Sequence, residues 1–101
     1  MRRPFVVRVE HGPAWDAARP LEQQAAWETH ATFMDALFDE GFVAFAGPLE
    51  GTNGALLIIR ADSEAQVRAR LAADPWHRDG HLLLRECWPW EIRLGSLDSS
   101  P

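Results

Sequence analysis

The order of strand-like and helix-like segments restricts the fold of this 101-residue chain more than any other feature. Runs rich in β-branched and aromatic residues predict strands at 5–10, 42–48, 55–60 and 82–94. Helical spacing of apolar residues predicts one helix between the first two strands, and a capping pattern predicts another between the last two. The predicted order is therefore β-α-β-β-α-β.

Both helices have recognisable ends. Pro20 suits the first turn of the first helix, and Gly41 is suited to end it. One face of this helix carries five residues at i, i+3, i+4, i+7 and i+8: His30, Phe33, Met34, Leu37 and Phe38. The second helix is predicted over 64–73, with Ser63 as its N-cap and Pro75 as its end.

This order is the split βαβ, or ferredoxin-like, arrangement of α+β proteins. It places two helices on one face of an antiparallel four-stranded sheet, in one domain over 1–95 followed by a disordered tail at 96–101. Pro89 predicts an edge strand or a bulge. Several segments carry apolar residues on both faces of their strands: Val6, Leu56–Ile59 and Leu82–Leu84. Because a solvated sheet face would alternate more cleanly, we expect the open face to pack against a second copy in a symmetric homodimer.

Composition removes several kinds of chemistry. The ten basic residues are all Arg, there is no Tyr, and Cys87 is the only cysteine. A chain without Lys has no Schiff-base nucleophile and no phosphate-loop lysine. One cysteine allows neither an internal disulfide nor a cysteine-rich metal site, and we expect Cys87 to be buried and inert. Proton transfer is left to histidine and carboxylate side chains.

The charge pattern restricts the partners. The net charge is −5 and the Arg residues are scattered, which disfavours nucleic-acid binding. No apolar run approaches the roughly 18–20 residues of a membrane span. Arg8 and Glu10 interrupt the first apolar stretch too early for a signal peptide. We therefore expect a cytoplasmic protein that binds neither nucleic acid nor membrane.

His30 and Asp74 are the strongest candidates for a chemical role. His30 begins the apolar face of the first helix, so its imidazole should point toward the sheet, and imidazole is the usual proton shuttle near neutral pH. Spacing alone favours the alternative that His30 is a structural histidine bonded to a backbone carbonyl. Asp74 ends the second helix at the unfavourable end of the helix dipole, where it could orient His30 or simply form an Asp-Pro turn.

The chain resembles the YCII-related family over about residues 5–94. The motifs that carry the resemblance are His30, Gly41-Phe42, Gly47-Pro48-Leu49, Ala73-Asp74-Pro75-Trp76 and Pro89-Trp90-Glu91. The resemblance implies a dimeric α/β-barrel of ferredoxin-like protomers whose active site is formed by His30 and Asp74. Some members resemble dehydrochlorinases of chlorinated hydroxyquinols. Two segments, Gly12–Asp16 and Gln24–Trp27, lie outside the family pattern and look like a subgroup feature.

Weaker candidates surround this pair. Trp76 could wall a pocket for a flat ligand, Gly47-Pro48 could let a ligand approach the backbone, and His11 could border the same cleft. Each has a structural alternative, which is core packing for Trp76, a hairpin role for Gly47-Pro48 and a loop cap for His11. His77 and His81 have metal-ligand spacing, but Pro75 and Gly80 argue for a loop or single turn over 75–81. We therefore expect no metal and no cofactor.

Two functions follow from these residues. The first is a cofactor-independent enzyme, of lyase or isomerase type, that uses His30 and Asp74 for general acid–base chemistry. It would abstract a proton from a small cyclic or aromatic polar substrate, with elimination or isomerisation. The alternative is a non-catalytic dimeric module that binds a small molecule or serves as an accessory domain. Hydrogen bonding of His30 to Asp74 in a water-accessible pocket would favour the enzyme.

Overall fold

The computed structural model describes residues 1–97 of the chain. Its elements in chain order are β1 (Arg3–His11), α1 (Trp27–Asp39), β2 (Val43–Pro48), β3 (Gly54–Ala61), α2 (Glu64–Ala72), α3 (Pro75–Asp79) and β4 (Leu82–Pro89). The strands form one antiparallel sheet in the order β2-β3-β1-β4. This confirms the predicted ferredoxin-like α+β fold. From residue 98 onward, the predicted disordered tail lies outside the described residues.

One face of the sheet packs against the helices and forms the core. Phe5, Val7 and Val9 alternate along β1 and are each at most 3% exposed. They pair with Ile59, Leu57 and Ala55 of β3 respectively, so apolar side chains from both central strands point to the same side. The helices contribute Leu37, Val67 and Leu71 to the same buried cluster. Burial of this face is the main driving force for docking the helices on the sheet.

The prediction that the first helix begins near Pro20 is wrong. The chain forms a short 3-10 turn at Leu21–Gln23, and α1 begins only at Trp27. Between them Ala26 has a φ of 62°, in the left-handed region, which interrupts any continuous helix. The buried face of α1 is also shorter than predicted, because Phe38, the last residue of the predicted face, is 61% exposed.

The second helix and its capping agree with the prediction. α2 spans Glu64–Ala72, and the Ser63 hydroxyl accepts a hydrogen bond from the Gln66 amide at 3.1 Å. The segment after it, predicted as a loop or a single turn, forms the short five-residue helix α3 over Pro75–Asp79. Asp74 is the N-cap of α3, so its carboxylate lies at the favourable end of that helix. Asp74 thus follows the C-terminal end of α2, as predicted, and also caps the N-terminus of α3.

The last strand is shorter than predicted. β4 ends at Pro89, and the residue that follows, Trp90, donates its backbone N–H to Pro4. β4 is an edge strand, which agrees with the prediction from Pro89. Its pairing with β1 also contains a bulge, which lies between Arg8 and Val9 and not at the proline. Within residues 1–97, no helix is both long and apolar enough to cross a membrane.

Candidate active site

His30 and Asp74 meet across the fold although 44 positions separate them. The Nδ1 atom of His30 lies 2.9 Å from Oδ1 and 2.8 Å from Oδ2 of Asp74. His30 is in the first turns of α1, and Asp74 lies where α2 ends and α3 begins. The packing of α1 against α3 therefore brings together the pair that the family resemblance implies.

The carboxylate of Asp74 is held by two different donors. Its residue is fully buried, and Oδ1 also accepts the backbone N–H of Trp76 at 3.0 Å. A buried carboxylate is stable only when its oxygens are hydrogen-bonded, and both oxygens have a partner here. Because the N-cap contact fixes the carboxylate, the direction from which it accepts the imidazole N–H is fixed as well.

This contact determines which nitrogen of His30 is free. A carboxylate accepts hydrogen bonds, so the neutral imidazole carries its proton on Nδ1 and a lone pair on Nε2. Within residues 1–97, every buried side-chain nitrogen and oxygen has a hydrogen-bond partner. Nε2 of His30 has no hydrogen-bond partner among these residues, so it is not one of the buried atoms. The His30 side chain is 12% exposed and lines the cavity, so Nε2 is open to solvent there. The free lone pair is the group that could accept a proton from a ligand.

Trp76 fixes the plane of the imidazole. Its indole stacks on the His30 ring with centroids 3.9 Å apart and an angle of 9° between the planes. Trp76 is 1% exposed, and its indole N–H donates to the carbonyl of Ala25 at 2.8 Å. A stacked and anchored indole restricts rotation of the imidazole, so His30 is preorganised toward the cavity.

The pair faces a cavity of about 260 Å³. Every residue that the sequence proposed for ligand binding contributes to its lining: His11, Gly47, Pro48 and Trp76. Trp76 is thus both a core residue and a wall, so the two alternatives for it are not exclusive. Most of the other lining side chains are apolar, which is typical of a site for a small organic ligand.

Three lining residues with aromatic rings were not proposed as site residues from the sequence. Trp27 lies three positions before His30, so helical spacing could have placed it beside the imidazole. Trp15 lies in the loop after β1, where no periodicity indicates a direction. His77 lies on α3, and the pKa of its imidazole is lowered, mainly by burial. The charge of Asp74 opposes this shift, and His30 adds to it.

The remaining titratable candidates lie apart from the cavity. His81 is 5% exposed, and its Nδ1 atom is 2.7 Å from Oδ1 of Asp79. In the described part of the chain, no three histidine, cysteine or carboxylate side chains are grouped so as to hold a metal ion. Cys87 is a buried free thiol, and burial raises its pKa. Cys87 therefore has little of the thiolate character that reactive cysteines need.

Comparison with known proteins identifies one family. A model of the YCII-related domain matches residues 9–91, which include His30, Asp74 and all of the residues that line the cavity. A search of curated proteins finds no match. The family match extends from the last three residues of β1 to beyond the end of β4, so it covers three of the four strands completely and all three α-helices.

Proposed function

Because the chain belongs to the YCII-related family, we propose that its His30–Asp74 pair performs general acid–base chemistry without a cofactor. The reaction class is proton abstraction, with elimination or isomerisation, on a small cyclic or aromatic polar substrate. The observation that supports this most is the hydrogen bond from His30 Nδ1 to the buried carboxylate of Asp74, with the imidazole lining a cavity. An imidazole sealed in the core against a backbone carbonyl would instead favour a structural histidine.

The geometry gives each residue of the pair a role. Nε2 of His30 accepts a proton from a C–H bond of the substrate, and the electron pair of that bond forms a new C=C bond. Asp74 stabilises the imidazolium formed and keeps the ring in the productive tautomer. In an isomerisation the same proton returns to another carbon, and in an elimination a leaving group departs with its electron pair. Positioned acid–base catalysis supplies about 10²–10⁴-fold, so the substrate C–H must already be acidic, as beside a carbonyl group.

The walls of the cavity suit a ring with few charges. Trp76 provides a flat apolar surface, and Gly47 and Pro48 leave room beside the end of β2. His11 lines the cavity as well, and burial lowers its pKa. Neutral imidazoles can orient a hydroxyl or carbonyl group without requiring a counter-charge. We propose these four residues as the substrate-binding set around the catalytic pair.

The tautomer of His30 tests this proposal without a substrate. In ¹⁵N-labelled protein at alkaline pH, we expect Nδ1 of His30 to carry the proton and Nε2 to be bare. In the Asp74→Asn variant, the amide oxygen can still accept the Trp76 N–H, which leaves the amide NH₂ facing Nδ1. The variant should therefore invert the tautomer, as long-range ¹H–¹⁵N correlation would show.

A second histidine provides the control for this measurement. His81 is also paired through Nδ1 with an aspartate, Asp79, and its tautomer should be the same in the wild type and in Asp74→Asn. A wild-type His30 protonated on Nε2 would contradict a role as the base, because the lone pair would then face the carboxylate.

We also propose that the open face of the sheet forms a homodimer. Cross-strand pairing places Phe45 beside Ile58, Ile58 beside Val6, and Val6 beside Trp88, which makes one apolar row across all four strands. Phe45 and Trp88, at the ends of the row, are 63% and 62% exposed. Ile58 within the row is 8% exposed, so the exposed apolar groups are the two aromatic side chains at its ends. Exposed aromatic groups of this kind are typical of protein interfaces.

The molecular mass in solution tests the dimer. Light scattering at micromolar concentration should give the mass of two chains for the wild type and of one chain for Trp88→Glu, since a carboxylate would be buried without a partner. Leu94→Glu is the matched control, because Leu94 is 93% exposed and lies outside the sheet. A monomeric wild type, or a dimeric Trp88→Glu, would show that this row is not the interface.

The cytoplasmic location stays a prediction from the sequence. Cys87 is the only cysteine, and it is free and buried. An unpaired thiol is compatible with a reducing compartment, which is why we retain the cytoplasm in the proposal.

A further inference from the structure

The loop from residue 12 to residue 26, which joins β1 to α1, supplies part of the cavity wall through Trp15 and Leu21. Its first residues are pressed against the corner between α3 and β4. Gly12 donates its N–H to the carbonyl of His81 at 2.8 Å, and Ala14 donates to that of Gly80 at 3.0 Å. A Cβ atom on Gly12 would lie 2.2 Å from the Gly80 oxygen, so only glycine allows this close approach.

A buried amide holds the middle of the loop. Gln24 is 3% exposed, and its side chain is hydrogen-bonded to backbone groups of the same loop. Its side-chain oxygen accepts the N–H of Asp16 at 2.9 Å, while its NH₂ donates to the carbonyls of Asp16 at 2.7 Å and Arg19 at 2.9 Å. These bonds satisfy backbone groups that lie outside any helix or strand ladder, so Gln24 determines the shape of the loop next to Trp15.

Trp15 is fixed by rings as well as by the loop. Its indole stacks on His11 with centroids 3.7 Å apart and planes 6° apart. It also meets Trp76 edge to face, at 5.4 Å and 81°. Stacked and edge-to-face contacts are the favourable geometries for aromatic pairs. Trp15 is therefore a rigid wall that contacts the same indole on which His30 is stacked.

The volume of the cavity restricts what can enter it. A dry cavity of roughly 150 Å³ can hold benzene, whereas pockets for drug-sized ligands have roughly 300–1,000 Å³. The cavity beside His30, at about 260 Å³, lies between these limits and is suited to one substituted ring. Among residues 1–97, no Arg lines the cavity, and the carboxylate that does, that of Asp74, is bonded to His30. A ring with neutral hydroxyl or carbonyl substituents therefore fits better than an aromatic carboxylate or phosphate.

We propose that Trp15 limits the ligand to a single six-membered ring, and that Gln24 is the positioning residue that holds Trp15 in place. This inference rests on the proposed function in that it takes the cavity beside His30 as the ligand site. Removal of the Trp15 indole would open the cavity on the side of the loop. A ligand with two fused rings would then gain affinity relative to a ligand with one.

Calorimetric titration with two probes tests the role of Trp15. The probes are catechol, which has one ring, and 2,3-dihydroxynaphthalene, which has the same pair of adjacent hydroxyls on one ring and a second ring fused to it. The wild type should bind catechol at least tenfold more tightly than the naphthalene, and Trp15→Ala should shift this ratio by about tenfold or more toward the naphthalene. Trp90→Ala, which removes an indole outside the cavity wall, should leave the ratio unchanged.

Substitutions at Gln24 test the positioning role. Gln24→Ala removes all three loop bonds, and Gln24→Glu removes the two that its NH₂ donates, so both should shift the ratio in the same direction as Trp15→Ala. Gln66→Ala is the matched control, because Gln66 accepts the Asp62 N–H at 2.7 Å in a different part of the fold. A general loss of stability would weaken both probes together, whereas a displaced wall changes their ratio.

Each remaining outcome has a definite meaning. An unchanged ratio in folded Trp15→Ala overturns the assignment of Trp15 while leaving the acid–base proposal intact. If Trp15→Ala does not fold, Trp15→Phe decides the question, since its smaller ring should give a shift in the same direction. A wild type that binds neither probe, or that binds both equally, overturns the size limit, and the tautomer of His30 still decides the acid–base proposal independently.

Discussion

Replacement of His30 by glutamine is expected to lower the rate at which the protein converts cyclohex-3-enone to cyclohex-2-enone by a factor of about 10²–10⁴. This probe has one ring, and its C2 protons are acidic because they lie between a carbonyl and a C=C bond. Nε2 of His30 would remove one of these protons and return it to C4, so that atoms and charge balance. Glutamine can hydrogen-bond in the same place but cannot act as a base at neutral pH. The increase in ultraviolet absorbance of the conjugated product measures the rate.

Two further variants sharpen this experiment. Asp74→Asn should reduce the rate by a similar factor, because the inverted tautomer turns the lone pair of His30 away from the cavity. His81→Gln should retain the wild-type rate, since His81 also pairs with an aspartate but does not line the cavity. Full activity in His30→Gln would show that His30 is not the base. If ligand affinity nevertheless persisted, the chain would fit the alternative function of a non-catalytic binding module.

The elements that periodicity and capping describe were predictable. Phe5, Val7 and Val9 alternate in the sequence and are buried as the alternation predicts. Ser63 and Gln66 have the spacing of a capping pair and form that contact. Local rules succeeded here because alternation alone determines which face of the sheet a strand residue occupies, and because the two members of the capping pair are three positions apart. The start of α1 did not follow such rules, because Gln24 is held by backbone groups five and eight positions away.

The candidate site shows the same limit more clearly. Spacing placed His30 on an inward face, but nothing in the spacing indicated that Asp74, 44 positions later, would be its partner. The family resemblance supplied that pairing. One local signal was overlooked, since Asp74 followed by Pro75 is also the pattern of an N-cap and first helical position, and α3 begins there. Trp15 had no local signal, because its direction depends on contacts with His11 and Trp76.

Replacement of Trp76 by alanine is expected to reduce the free energy of unfolding by about 3–5 kcal/mol. The indole is 1% exposed and lies between two imidazoles, with His30 at 3.9 Å and His81 at 5.4 Å between ring centroids. Its removal would leave a large void and deprive the Ala25 carbonyl of its indole donor. A domain of this size has a total stability of about 5–15 kcal/mol, so the loss is a substantial fraction. Urea unfolding measures it, at equal protein concentration because association would add to stability.

Comparison with two other tryptophan variants separates the causes of this loss. Trp90→Ala, at a position that is 41% exposed, should cost no more than about 0.5 kcal/mol. Trp76→Phe keeps an aromatic ring against His30 but loses the bond to Ala25, and should cost about 1–3 kcal/mol. A loss below about 1 kcal/mol in Trp76→Ala would contradict the close packing of this ring. Trp76 supports both the core and the imidazole, so a large loss of stability in Trp76→Ala would obscure any effect on His30. Trp76→Phe is expected to be less destabilised, so a change in the His30 tautomer can be distinguished from unfolding in that variant.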